Sequence, residues 1–155
     1  MCKQLIKEMV EGIREYYGTT NIYELISILD ITVMQKKLCK NQKAKTMRNA
    51  FGDEYIFISD DVPEHQEKFI LAHELGHLLL HKEINCYYYT NSFISKDRLE
   101  FQANYFAMEL LFPQNIAPYE IEGFTLEQLS VMYEIPIKML SYKIEELQRS
   151  DLIER

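Results

Sequence analysis

Over the first seventeen positions, Leu5, Ile6, Met9, Val10, Ile13, Tyr16 and Tyr17 recur at helical spacing. This predicts an amphipathic helix from Lys3 to Tyr17, ended by Gly18. Asn21 followed by Glu24 signals the cap of a second, short helix ending near Leu29. The period then shortens. Ile31–Leu38 is expected to form a strand, and Thr46–Phe51 and Tyr55–Ser59, on either side of the turn signal Gly52-Asp53, a hairpin. A small antiparallel sheet should therefore follow the first two helices.

Downstream the pattern returns to helix. Asp61 with Glu64 supplies a cap signal, Pro63 is tolerated in a first turn, and the helix should run to about His81. Residues 82–96 carry no periodicity and are expected to be a loop. Asp97–Phe112 is a further helix, stopped by Pro113. Thr125–Tyr133 and Ile137–Leu147 form a last helical pair around Glu134-Ile135-Pro136. The fold class is α+β: N-terminal helices and a small antiparallel sheet, packed on two longer helices, with a C-terminal helical pair.

Composition narrows the function classes. The chain has 155 residues, 47% hydrophobic and 26% charged, which is the balance of one ordinary globular domain. Lys and Arg number 17 against 24 Asp and Glu, a net charge of −7. Such a chain is a poor non-specific binder of DNA or anionic membranes, because phosphate contacts need clustered cations. Cys2, Cys39 and Cys86 are odd in number and form no C-x-x-C pair. Neither a disulfide framework nor a cysteine metal site is expected, and a reducing cytoplasm fits best. The longest apolar runs, such as Phe69-Ile70-Leu71-Ala72, are far shorter than the roughly 20 residues a transmembrane helix needs. The N-terminus meets Lys7, Glu8 and Glu11 too early to contain a signal-peptide core.

The chemistry is concentrated in Leu71-Ala72-His73-Glu74-Leu75-Gly76-His77-Leu78-Leu79-Leu80-His81, which contains H-E-x-x-H. On an α-helix His73 and His77 lie about 40° apart around the axis, so both rings can reach one ion from adjacent turns. Glu74 lies about 100° round from His73, bordering that face, where a general base can act without ligating. The composition would produce this motif by chance about 0.01 times in the chain, and it is the one described for zinc metalloproteases. The competing explanation is a core helix with two satisfied histidines.

A catalytic zinc needs a third protein ligand. His81 is eight residues from His73, about 12 Å of helix rise, too far to share one ion with both histidines and better suited to supporting them. Leu80 also occupies the glycine position of the longer H-E-x-x-H-x-x-G-x-x-H signature. His65 is expected to be exposed near the helix start and without a role. Glu100 is the third candidate. Asn104, four residues on, shares its face and could hydrogen-bond a ligating histidine's other ring nitrogen. Ala103 and Ala107 are small and would let this helix approach the histidine helix closely. Glu109 faces away from Glu100 and is expected to be solvated.

Taken together, His73-Glu74-Leu75-Gly76-His77 with Leu78-Leu79-Leu80-His81, then Glu100-x-x-Ala103-Asn104-x-Phe106-Ala107-x-x-Leu110-Leu111-x-Pro113, resembles the ImmA/IrrE family of bacterial and phage metallopeptidases. The resemblance extends from Met1 to about Pro118. It implies a metallopeptidase domain over residues 1–118, with 119–155 as a helical extension packed on it. It also implies a minimal thermolysin-like fold. The residues matching His73, His77 and Glu100 would bind the metal, and the one matching Glu74 would be the catalytic base. Two imidazoles and a carboxylate suit Zn²⁺, while also accepting Mn²⁺ or Fe²⁺. The implied partner is a separate helix-turn-helix repressor of a phage, mobile element or stress regulon, cleaved or destabilised to relieve repression. The alternative is a non-catalytic regulatory binding module of the same fold.

Two weaker signals remain. The tail from Phe124 onward is reminiscent of a helix-turn-helix, but it holds four basic and six acidic residues, net −2, so direct nucleic-acid binding is not expected. Tyr87, Tyr88 and Tyr89, between the two ligand helices, could donate to a developing oxyanion; the same rings would equally serve to cover the core.

Overall fold

The computed structural model describes residues 2–82 and 96–154. Helix α1 (Lys3–Tyr17) has the predicted bounds. Gly18 ends it in the left-handed region at φ 69°, where its N–H donates to the Arg14 carbonyl. Ile6 and Val10 bury the inner face. In α2 (Ile22–Ile28), Asn21 Oδ1 accepts from the backbone N–H groups of Tyr23, at 3.0 Å, and Glu24, at 3.4 Å. This is the expected cap, satisfying donors that the first turn cannot.

Strands β1 (Thr32–Lys36), β2 (Ala44–Arg48) and β3 (Glu54–Ser59) form one sheet in the order β1-β3-β2. The hairpin is present: β2 pairs antiparallel with β3, Lys45 opposite Phe57. Asn49 Oδ1 holds its turn by accepting from the N–H groups of Phe51 and Asp53, and Gly52 takes φ 93°. The expectation of a wholly antiparallel sheet fails at β1, which runs parallel to β3 with Val33 opposite Ile56. The burial pattern accounts for the strand order. β3 is the apolar strand, with Ile56, Phe57 and Ile58 buried, and takes the centre. β1 and β2 carry lysines and lie at the edges, where charge discourages further pairing.

Helix α3 (Glu64–Leu80) holds the H-E-x-x-H motif. Pro63 is its N-cap residue and no side chain caps it, so the expected Asp61 cap is not formed and proline precedes the first turn. Helix α4 (Lys96–Leu111) lies alongside α3. A short α5 (Pro118–Ile121) was not foreseen. α6 (Leu126–Tyr133) opens with a reciprocal cap: Thr125 Oγ1 accepts from Gln128 N–H, and Gln128 Oε1 accepts from Thr125 N–H. α7 (Ile137–Glu154) completes the fold.

The sheet packs on α3, while α1 and α7 pack on α4. One apolar cluster joins Ile6 and Val10 of α1, Ile56 and Ile58 of β3, Leu71 and Leu75 of α3, Phe106 of α4, and Leu129, Ile135, Met139 and Leu140 of the C-terminal segment. Burying such side chains contributes about 1.5–3 kcal/mol each. Polar ties reinforce the α1–α4–α7 layer. Glu109 is 7% exposed rather than solvated as expected, and Lys143 Nζ lies 2.8 Å from its carboxylate. Arg14 donates to the Glu109 and Phe112 carbonyls, placing a cation at the α4 C-terminus, where the helix dipole favours one. Among the described residues no helix is long and apolar enough to cross a membrane.

Candidate metal centre

The centre is assembled by the close approach of two helices. A Cβ built on Gly76 would lie 3.2 Å from Ala103 Cα and 3.1 Å from the Phe106 ring, tighter than ordinary van der Waals contact, so glycine allows the close crossing. Ala72, Ala103 and Ala107 are fully buried in the same interface. This lets α4 present Glu100 to the two histidines on α3.

His73 Nε2 and His77 Nε2 are 3.1 Å apart. Glu100 Oε2 lies 3.3 Å from His73 Nε2, and its Oε1 lies 3.6 Å from His77 Nε2. The three residues can offer one ligand atom each, all within 4.8 Å of one another. Both histidines are largely buried, with 16% and 13% of their side chains exposed, and Glu100 is more open at 41%.

Hydrogen bonds fix the ring tautomers. His73 Nδ1 lies 2.9 Å from Asn104 Oδ1, an acceptor, so Nδ1 carries the proton and Nε2 keeps its lone pair. His81 Nε2 donates to Gln102 Oε1 at 3.0 Å, which leaves His81 Nδ1 as an acceptor. That atom lies 3.0 Å from His77 Nδ1, so His77 is the donor and its Nε2 lone pair is also free. Both histidines therefore aim an unprotonated Nε2 at the point faced by the Glu100 carboxylate. This donor set fits a divalent ion. Gln102 was not singled out by sequence; its position three residues before Tyr105 in an otherwise apolar buried stretch offers the only hint. Gly76 was likewise missed as a packing residue.

The centre is strongly polarised. The facing His73 ring, and then His77, hold the Glu100 carboxyl far below its ordinary range, so it presents an anionic oxygen. Burial opposes charge on His73, but contacts with Glu100, Glu74 and Asn104 outweigh it and raise its pKa. Burial lowers the pKa of His81, which keeps that ring neutral in its relay. Burial also raises the pKa of Glu74, a carboxyl only 7% exposed, making it a stronger base than a solvated glutamate.

His73, Glu74, His77 and Glu100 line a cleft of about 1380 Å³, bounded on one side by β2 and on the other by Ser130 and Glu134–Ile137. His65 is exposed and lines the cleft's rim. Tyr87, Tyr88 and Tyr89 lie outside the described residues.

A helix-borne H-E-x-x-H with an acidic residue from a neighbouring helix defines the class of HExxH metalloproteins. The family model Peptidase M78, described as the IrrE N-terminal-like domain, matches residues 26–145. The chain belongs to this metallopeptidase family. It is 33% identical over 147 residues to the metallopeptidase ImmA of Bacillus subtilis (strain 168), an alignment covering 92% of this chain and 85% of that one. It is 32% identical over 141 residues to the uncharacterized immunity region protein 2 of Bacillus phage phi105, covering 90% and 89%. Among solved structures, a Mycobacterium tuberculosis transcriptional regulator matches at TM-score 0.48 and 15% identity, over 90% of this chain and 48% of that one, so the chain spans about half its length.

Proposed function

We propose that this protein is a zinc-dependent endopeptidase that cleaves a helix-turn-helix repressor of a phage or mobile element. The observation that carries the reading is the convergence of two Nε2 lone pairs and a carboxylate beside a buried glutamate. A structural site has no need of that base. The names of two relatives, a metallopeptidase and a phage immunity-region protein, support the reading.

His73, His77 and Glu100 would hold the ion in a minimal thermolysin-like plan. When bound, such an ion supplies Lewis acidity toward the scissile carbonyl and its attacking water. Glu74 accepts the proton of the attacking water and delivers it to the leaving amine. Asn104 and His81 hold the histidine rings in the ligating tautomer. The substrate lies in the cleft beside β2, an edge strand among the described residues, whose backbone can pair with an extended chain. Mn²⁺ and Fe²⁺ are chemically compatible replacements for zinc. The partner is a protein rather than DNA, because the C-terminal helices lack a basic face. The cytoplasm, where repressors act, is the compartment this requires.

Elemental analysis of the purified chain, with incubation against the repressor encoded beside it, tests the proposal. One equivalent of metal and metal-dependent fragments of the repressor are expected. Metal-loaded protein that binds the repressor and leaves it intact would favour the non-catalytic module.

A further inference from the structure

We propose that the cleft selects a substrate segment carrying acidic side chains on both sides of the scissile bond. This rests on the peptidase reading and adds a substrate class to it.

The chain as a whole is strongly acidic, at −7, yet its cleft is not. Lys43, Lys45, Arg48, Lys82 and Lys96 line it, against Glu74, Glu100 and Glu134. Arg48 is matched by Glu54, and Glu134 by Lys68. Glu74 and Glu100 belong to the metal centre, where a divalent ion offsets their charge. Four lysines remain, and among the described residues none of them forms an ion pair with a carboxylate. Lys43 donates to the neutral Gln66, at 2.6 Å, whereas the Lys45 ammonium lies over the Phe57 ring, on the sheet face turned away from α3, and takes no part.

Their placement is ordered along the cleft. Strand β2 runs beside α3: Lys43 touches Gln66 in the first turn of the helix, and Arg48 at the other end of the strand donates to the Lys82 carbonyl just past the last turn. The helix between spans about 24 Å, with His73 and His77 near its middle. Lys43 therefore flanks the centre on one side and Lys82 on the other, with Lys96 on the turn of α4 before Glu100. An extended peptide of about seven residues crosses this distance. Acidic side chains near its two ends would meet ammonium groups, while basic ones would meet like charge. The negative charge elsewhere on the chain would repel an acidic segment, so the attraction is confined to the cleft.

The test uses the zinc-loaded, full-length Glu74→Gln variant, so that the peptides stay intact. Three fluorescein-labelled twelve-residue peptides share an apolar centre and differ in flanks of Glu, Gln or Lys. Fluorescence anisotropy should show the Glu-flanked peptide binding about 10-fold tighter than the Gln-flanked one at 50 mM salt, with the gap closing at 0.5 M. Lys43→Gln with Lys82→Gln should abolish the preference. Lys37→Gln with Lys40→Gln, an equal charge change outside the cleft, should keep it. Equal binding of the three peptides, no binding of the Glu-flanked one, or equal loss in both double variants would overturn the proposal. Failure of the peptidase reading looks different: wild-type protein would show the same lysine-dependent preference and cleave neither peptide nor repressor.

Discussion

Gly76 on α3 meets the Ala103 backbone on α4 so closely that a methyl group there would lie 3.2 Å from Ala103 Cα, and this close crossing brings Glu100 within reach of the histidines. The prediction concerns Gly76→Ala. Alanine gains about 0.5–1 kcal/mol of helix propensity. Against that, its Cβ would press on Ala103 Cα and O, backbone atoms that move only if the helix moves. Overpacking of this kind costs about 1–3 kcal/mol, so the net effect is destabilising. Thermal unfolding should show a lower midpoint, and metal titration a weaker affinity, because α4 and Glu100 are displaced together. A midpoint raised by the propensity gain, with unchanged metal affinity, would show that the helices can part at no cost to the site.

The two glutamates should respond differently to an equally small change. Glu74→Gln keeps shape and fold but removes the buried base. It should retain the metal and lose activity by about 10²–10⁴ or more. Glu100→Gln removes the anionic donor facing both Nε2 atoms, so metal occupancy should fall and activity with it. Elemental analysis of both purified variants, beside a repressor-cleavage assay, separates them. Loss of metal in Glu74→Gln with full retention in Glu100→Gln would reverse the assignments.

Gln102 touches the centre through His81, and its removal should be felt at the metal. Gln102→Leu leaves the buried His81 N–H without its acceptor, at a cost of about 1–3 kcal/mol in stability. It also frees the His77 ring to adopt the other tautomer. Metal affinity should drop about 10- to 100-fold, the usual scale for partners of ligating histidines. Gln102→Glu keeps an acceptor at that position and should recover most of the affinity. Equal affinity loss in both variants would point to packing rather than to the relay.

Much of this was legible because helical periodicity is local. Lys3–Tyr17 was read to the residue, and the spacing of His73 with His77 needed no tertiary information. Glu100 stood only as one candidate on its chemistry, since the approach of α3 to α4 depends on contacts between residues far apart in sequence; the family resemblance singled it out. The parallel pairing of β1 with β3 escaped for the same reason: strand alternation says which residues share a face, not which strand becomes the neighbour. Glu109 was misjudged because its solvation was inferred from one helix alone, whereas Lys143 arrives from α7 to bury it.

Glu146 gives the fold a specific acid sensitivity. Burial opposes its charge, but hydrogen bonds from Lys3, Lys7 and Tyr105 prevail and hold its pKa below the ordinary 4.5. The contacts are 2.8 Å to Lys3, 3.0 Å to Lys7 and 2.9 Å to the Tyr105 hydroxyl, so α1, α4 and α7 meet at this one carboxylate. A carboxyl with a depressed pKa in the folded state stabilises that state fully above its unfolded pKa, and the contribution fades as pH falls through the folded value. Glu146→Gln should therefore be less stable than wild type at pH 7, by about 1 kcal/mol given that both lysines are partly exposed. The difference should shrink below about pH 4.5 and vanish once the wild-type carboxyl is protonated. Urea midpoints at pH 7, 5 and 3 measure it. A gap that stays constant across that range would mean that the residue acts through shape rather than charge.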